Sequence, residues 1–86
     1  MAQFILKIYS DCDTALICEI SFERDTQQDA KENIWEVIIH QTDKSIYTEG
    51  EHYHTELLRK TNGDDTRVSG SPSINFCFSN NTFFKS

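Results

Sequence analysis

The sequence predicts an α+β domain in which a small antiparallel sheet packs against one main amphipathic helix. Three observations carry the prediction. Apolar residues alternate with polar ones in two successive stretches near the amino end, helical spacing takes over after residue 24, and Asn-Gly and Asn-Asn dipeptides punctuate the second half. At 86 residues the chain is expected to form a single small domain over 1–86. A core this small buries only roughly 60 to 65% of the surface its unfolded chain exposes, and the six Phe, three Tyr and one Trp supply large buried areas per residue.

In "QFILKIYS" Phe4, Leu6 and Ile8 fall on one side of a period-two strand, with Ile5, Lys7 and Tyr9 on the other. "DCDT" reads as a turn, because Asp side chains bond nearby backbone amides. "ALICEISFE" then resumes the alternation with Leu16, Cys18, Ile20 and Phe22 on one face, which makes a hairpin. Asp25 or Thr26 is the expected cap of a helix, with Gln28 or Asp29 three residues on in an approximate capping box. Ala30, Ile34, Val37, Ile38 and Gln41 recur at helical spacing, and the helix is expected to run to about Thr42.

The Asn62-Gly63 pair suits a two-residue type I′ turn between strands near 51–60 and 65–69. A competing reading makes 50–60 a second helix, since "EHYHTELLRK" also contains good helix formers. "SGSPS" reads as a turn or loop. "INFCFS" places Ile74, Phe76 and Phe78 on one strand face, and "SNN" turns the chain into a short terminal "TFFK".

Fourteen acidic against eight basic side chains give a formal charge of -6. That balance argues against direct binding of nucleic acid or an anionic membrane, and its natural complement is a protein with a basic surface. The three cysteines, Cys12, Cys18 and Cys77, form no CxxC pair and suggest a reducing, cytoplasmic setting without a disulfide framework. Cys18 and Cys77 are expected in the core, and Cys12 lies between Asp11 and Asp13, a poor setting for a nucleophile. No apolar run approaches the roughly 20 residues of a membrane span, and no cleavage pattern marks a signal peptide, so the chain reads as soluble and unprocessed.

On the polar side of the expected helix, Asp25, Asp29, Glu32, Glu36 and Asp43 fall within roughly 60° of one another at about 100° per residue. Like charges at this spacing cost an isolated helix roughly 0.2 to 0.5 kcal/mol per pair, so local stability does not select the layout. The stripe is the candidate partner-binding surface, extended by Glu49 and Glu51, with Tyr47 and Tyr53 as aromatic anchors at its margin and Trp35, also at the margin, expected in the core. The expected function is a small acidic inhibitor or regulator, a mimic of nucleic-acid phosphates that blocks the basic groove of a nuclease or nucleic-acid-binding complex. In size and charge, though in no residue motif, the chain resembles anti-CRISPR, anti-restriction and immunity proteins. No catalytic residues and no cofactor are expected.

Two alternatives come from other classes. His52, His54 and Glu56 project from one face if 51–60 is a strand, with His40 as a remote fourth ligand, and would serve a small metal-dependent or histidine-based enzyme. The His-x-His spacing is short and common and lacks the His-Glu-x-x-His or Cys-Cys spacing of a zinc site, so a solvated strand face is the expected reading of these residues. A homo-oligomeric subunit that pairs exposed strand edges is the third reading.

Overall fold

The structure, a computed structural model, describes residues 1–68, 70 and 74–85. It is a mixed α+β fold with an antiparallel sheet and helices. Strand β1 (Ala2–Ser10) pairs with β2 (Leu16–Arg24) as the alternation predicts. Phe4, Leu6 and Ile8 are completely buried and face Phe22, Ile20 and Cys18 across the hairpin.

Leu16 departs from the predicted face. The register shifts between Ile8 and Tyr9, so Ile8 pairs with Cys18 but Tyr9 pairs with Leu16, leaving Ile17 as the extra residue of a bulge. Leu16 is consequently exposed, and Ile17 packs against the core instead. Perfect alternation in the sequence cannot reveal a one-residue insertion in the pairing.

Thr26 caps the helical segment as its Oγ1 accepts from the Asp29 amide at 3.1 Å. The expected single helix is broken at Asn33 into α1 (Gln27–Glu32) and α2 (Ile34–Gln41). The Asn33 side chain donates to the Asp29 carbonyl at 2.6 Å, and its amide is shared between the Asp29 and Ala30 carbonyls. A side chain inserted into the i to i−4 ladder is a known cause of helix bending. Ala30, Ile34, Val37 and Ile38 lie in the core with the β1 and β2 residues, so the helices cover one sheet face.

After a 3-10 turn over Lys44–Ile46 the chain enters β3 (His52–Thr61). Residues 52–61 are thus strand, and the helical alternative for this segment is not formed. β3 pairs with β1 along one edge and with two strands on the other: its first residues bond β5 (Asn75–Ser79) and its last bond β4 (Asp64–Arg67). β6 (Thr82–Lys85) closes the order β2-β1-β3-β5-β6, with β4 beside β3. Asn62 (φ 46°) and Gly63 (φ 88°) have the positive φ values that a type I′ turn requires, and Asn80 (53°) and Asn81 (58°) repeat the device between β5 and β6. The loop expected at "SGSPS", and the end of the 65–69 strand, fall outside the described residues except for Gly70.

The second half contributes an aromatic cluster to the core. Phe76 is fully buried, with the rings of Trp35, Tyr47, Tyr53 and Phe83 within 5.9 Å of its centroid. Among the described residues no helix covers the other sheet face. Ile5 and Leu58 pair across it, each only 7 % exposed. Among the described residues no helix is long and apolar enough to cross a membrane.

Candidate functional site

His52, His54 and Glu56 do share one face of β3, but neighbours divide them. His54 Nδ1 meets Asp11 Oδ1, and its ring stacks on Tyr9 at 5.3 Å. Glu56 accepts from the Tyr9 hydroxyl at 3.3 Å. Burial, and then the Glu56 carboxylate, push the Tyr9 phenol above its ordinary value. Among the described residues no three His, Cys, Asp or Glu side chains converge as metal ligands. His40 sits on α2, across the sheet from the uncovered face that His52 and His54 occupy, because α2 packs on the core side. The four-ligand arrangement is therefore not assembled.

The charges sort by position along the strands. At the end where β1 starts, the register gathers Arg24, Arg59, Lys60 and Arg67 with Glu23, Asp25, Asp64 and Asp65, and their charges balance. The opposite end contains the β1–β2 turn and the 42–51 connection. There Asp11, Asp13, Asp43, Glu49 and Glu51 stand against Lys44. Backbone bonds anchor each segment to the sheet: the Asp11 amide donates to the His52 carbonyl of β3, and the Gly50 amide to the Phe78 carbonyl of β5. Among the described residues no Lys or Arg forms an ion pair with any of the five carboxylates. The Lys–carboxylate pair that is present, Lys7 with Glu19 at 3.6 Å, lies in mid-sheet.

A groove runs between the turn and the connection. One wall is Ser10, Cys12, Asp13, Ala15 and Ile17; the other is Ile46, Thr48, Glu51 and Tyr53. A shallower depression beside it is lined by Asp11, Cys12, Gly50, Glu51 and His52. Ile46 and Leu16 are large apolar side chains left exposed, so this end combines carboxylates with apolar surface.

The predicted stripe is distributed differently. Glu32 and Glu36 are exposed on the helices and Asp29 is half-buried, whereas Asp25 precedes α1 and Asp43 follows α2. Asp43 caps the 3-10 turn by accepting from the Ser45 amide at 2.9 Å, and that backbone bond holds its carboxyl below the ordinary range. Glu49 is tied to the β5–β6 turn, accepting from the Asn80 amide at 2.6 Å and from Ser79 Oγ at 3.3 Å. A single straight row of evenly spaced carboxylates is not formed, since Asn33 interrupts the helix and both outer members lie beyond it.

Two expected anchors are core residues. Tyr47 is 7 % exposed and Tyr53 3 %, because the 42–51 connection folds inward over the aromatic cluster. Tyr47 stacks on Phe78 at 5.3 Å and donates to Thr42 Oγ1 at 3.0 Å. Burial pushes its phenol up to about 12. The Tyr53 hydroxyl accepts from the Thr48 amide at 2.7 Å. Trp35 is half-buried, edge-on to Phe76 and Phe83, with Lys85 Nζ 5.6 Å from its ring.

Asp11 and Asp13 join Glu51 at the groove, and the sequence reading did not place them there. The turn itself was legible in "DCDT", but its closeness to the start of β3 depends on β3 pairing with β1. Cys77 is also moved. It pairs with His52 on the uncovered face rather than packing in the core, while Cys18 stays against the core, where burial raises its thiol. Comparison with protein-family models, with curated proteins and with solved structures finds no match to this chain.

Proposed function

We propose that this protein is a small acidic inhibitor or regulator that docks on the basic surface of another protein, with a nuclease or nucleic-acid-binding complex as the partner class its charge suits. The observation that carries the reading is the concentration at one end of the sheet of carboxylates that, among the described residues, have no Lys or Arg partner, beside a groove with exposed Ile46. Coulombic attraction from that end would speed encounter with a basic surface, and apolar contact at the groove would slow dissociation. The exposed Glu32 and Glu36 extend the same sign of charge along the helices. The reading rests on charge placement rather than on phosphate-like spacing, because the helix is interrupted.

The test is capture from a lysate at low salt and at about 0.5 M salt, where exposed charges are screened within a few ångströms. A basic nucleic-acid-handling protein held at low salt and reduced at high salt is the expected result. Its affinity should then fall by at least about tenfold, or roughly 1.4 kcal/mol, for Asp13→Lys with Glu51→Lys. Asp64→Lys with Asp65→Lys, at the charge-balanced end, should leave it nearly unchanged. Equal losses at the two ends, or binding indifferent to salt, would refute the proposal.

A further inference from the structure

The sheet order ends at β2, so one side of this strand pairs with no other strand among the described residues. Its backbone orientation follows from the bonds of β1. The Asp11 amide donates to the His52 carbonyl, extending the register in which Ser10 lies opposite Tyr53, whereas the Ser10 amide donates to the Ala15 carbonyl. Bonding direction alternates along a strand, so the odd residues of β1 bond β3 and the even ones bond β2. Ile8, Leu6 and Phe4 therefore exchange bonds with Cys18, Ile20 and Phe22. Glu19, Ser21 and Glu23 fall between them and direct their amides and carbonyls outward from the free edge, and all three are exposed. Among the described residues only the Glu23 carbonyl of this set has a partner, the Arg24 guanidinium at 2.7 Å.

The side chains of the edge select what can pair with it. Glu19 Oε1 meets Lys7 Nζ at 3.6 Å, and Glu23 Oε1 accepts from the Gln3 amide group at 3.3 Å, both from the β1 side. Among the described residues the Oε2 atoms of these two carboxylates have no partner. They lie on the same sheet face, roughly 13 Å apart along the strand. A second copy of the chain suits this edge poorly. In the antiparallel register that engages all three residues of both copies, Ser21 lies against Ser21 and each Glu19 against a Glu23, and like charges directly opposite one another are destabilising. A shift one way meets the bulge at Ile17, and a shift the other way sets Glu19 against Asp25.

We propose that the free edge of β2 takes an extended basic segment of a partner protein as an added strand, with Lys or Arg four residues apart opposite Glu19 and Glu23. The outward amides and carbonyls supply the main-chain bonds, and the two carboxylates select the cations. Ala15 and Ile17 of the groove wall lead directly into this edge, so groove and added strand form one contiguous surface. The inference deepens the proposed function and rests on its basic partner, to which it gives a backbone conformation and a charge spacing.

The experiment titrates the isotope-labelled full chain with the peptide acetyl-Thr-Lys-Val-Thr-Val-Lys-Thr-amide, whose lysines and central threonine share one face when extended. Hydrogen exchange at the Glu19, Ser21 and Glu23 amides should slow as the peptide binds. A peptide of the same composition with its lysines adjacent, and so on opposite faces, should bind at least about fivefold more weakly, as should the first peptide to Glu19→Gln with Glu23→Gln. Ser21→Pro removes the central outward donor but no bond to β1, a change that edge strands tolerate, and should abolish the slowing. If Ser21→Pro loses the circular dichroism spectrum of the parent, the Gln pair carries the test. Equal affinity for the two peptides, or unchanged affinity in the Gln pair, overturns the proposal. Protection of the edge without peptide that rises with protein concentration also overturns it, assigning the edge to a second copy. A basic protein captured from lysate, with no peptide protection at Glu19, Ser21 and Glu23, overturns the edge and leaves the proposed function standing; peptide protection with no captured protein does the reverse.

Discussion

Replacing Tyr47 by Phe should make a protein that is less stable than the parent at neutral pH and more stable in strong alkali. The phenol is buried among Tyr53, Phe76, Phe78 and Phe83, with ring centroids 5.1 to 5.8 Å away, and its hydroxyl donates to Thr42. Losing that hydrogen bond costs about 1 kcal/mol at pH 7. The phenol titrates near 10 in an unfolded chain and is pushed up to about 12 in the fold. A folded value above the unfolded one means that its contribution is complete below about pH 10 and is lost as the pH rises through about 12. About two units at roughly 1.4 kcal/mol each make that loss about 3 kcal/mol.

The parent and Tyr47→Phe stability curves should therefore cross near pH 11, after which the variant is the more stable by about 2 kcal/mol. Urea unfolding at a series of pH values, followed by the fluorescence of Trp35, measures both curves; groups common to the two proteins cancel in the difference. Tyr47→Ala removes the ring as well. It should cost about 3 to 5 kcal/mol, a large part of the roughly 4 to 13 kcal/mol expected of a chain this size. Curves that run parallel from pH 8 to 12.5, together with a small effect of Tyr47→Ala, would refute the placement of Tyr47 in the core and return it to the surface as an anchor.

The bulge between β1 and β2 predicts that Leu16→Ser changes stability by less than about 0.5 kcal/mol, whereas Ile17→Ala, which empties a site packed against the core, costs about 1 to 2 kcal/mol; urea midpoints of the two variants decide this, and the reverse order would reinstate strict alternation. Asp43→Ala should lower the melting temperature at pH 7 by removing the cap on Ser45. Because the folded carboxyl titrates below its ordinary value, that contribution is present above about pH 4 and is lost as pH falls through the folded value, so melts at pH 7 and pH 2.5 should show the difference between parent and variant disappearing in acid.

Local chemistry determined the elements of this protein. The alternation of Phe4, Leu6 and Ile8 specifies which face of β1 is buried, because successive strand side chains point to opposite sides. Thr26 announces the helix start, and Asn62-Gly63 announces its hairpin through the positive φ values that this turn needs. All of these depend on a few neighbouring residues. The break at Asn33 was harder to read, since Asn is only modestly unfavourable in a helix and its bond to the Asp29 carbonyl is a choice among competing local partners.

Only the tertiary structure decided the candidate site. β3 is shared by β1 on one edge and by both β4 and β5 on the other, and no periodicity in the sequence encodes that order. Strand order is what brings Asp11 and Asp13 to Glu51, sets Cys77 against His52, and puts His40 on the far side of the sheet from the other histidines. It also draws Tyr47 inward, since the aromatic residues of β5 and β6 that enclose it lie far along the chain. The sequence by itself determined the charge and the elements; the long-range pairing, governed by which side chains pack across the finished sheet, determined where that charge is concentrated.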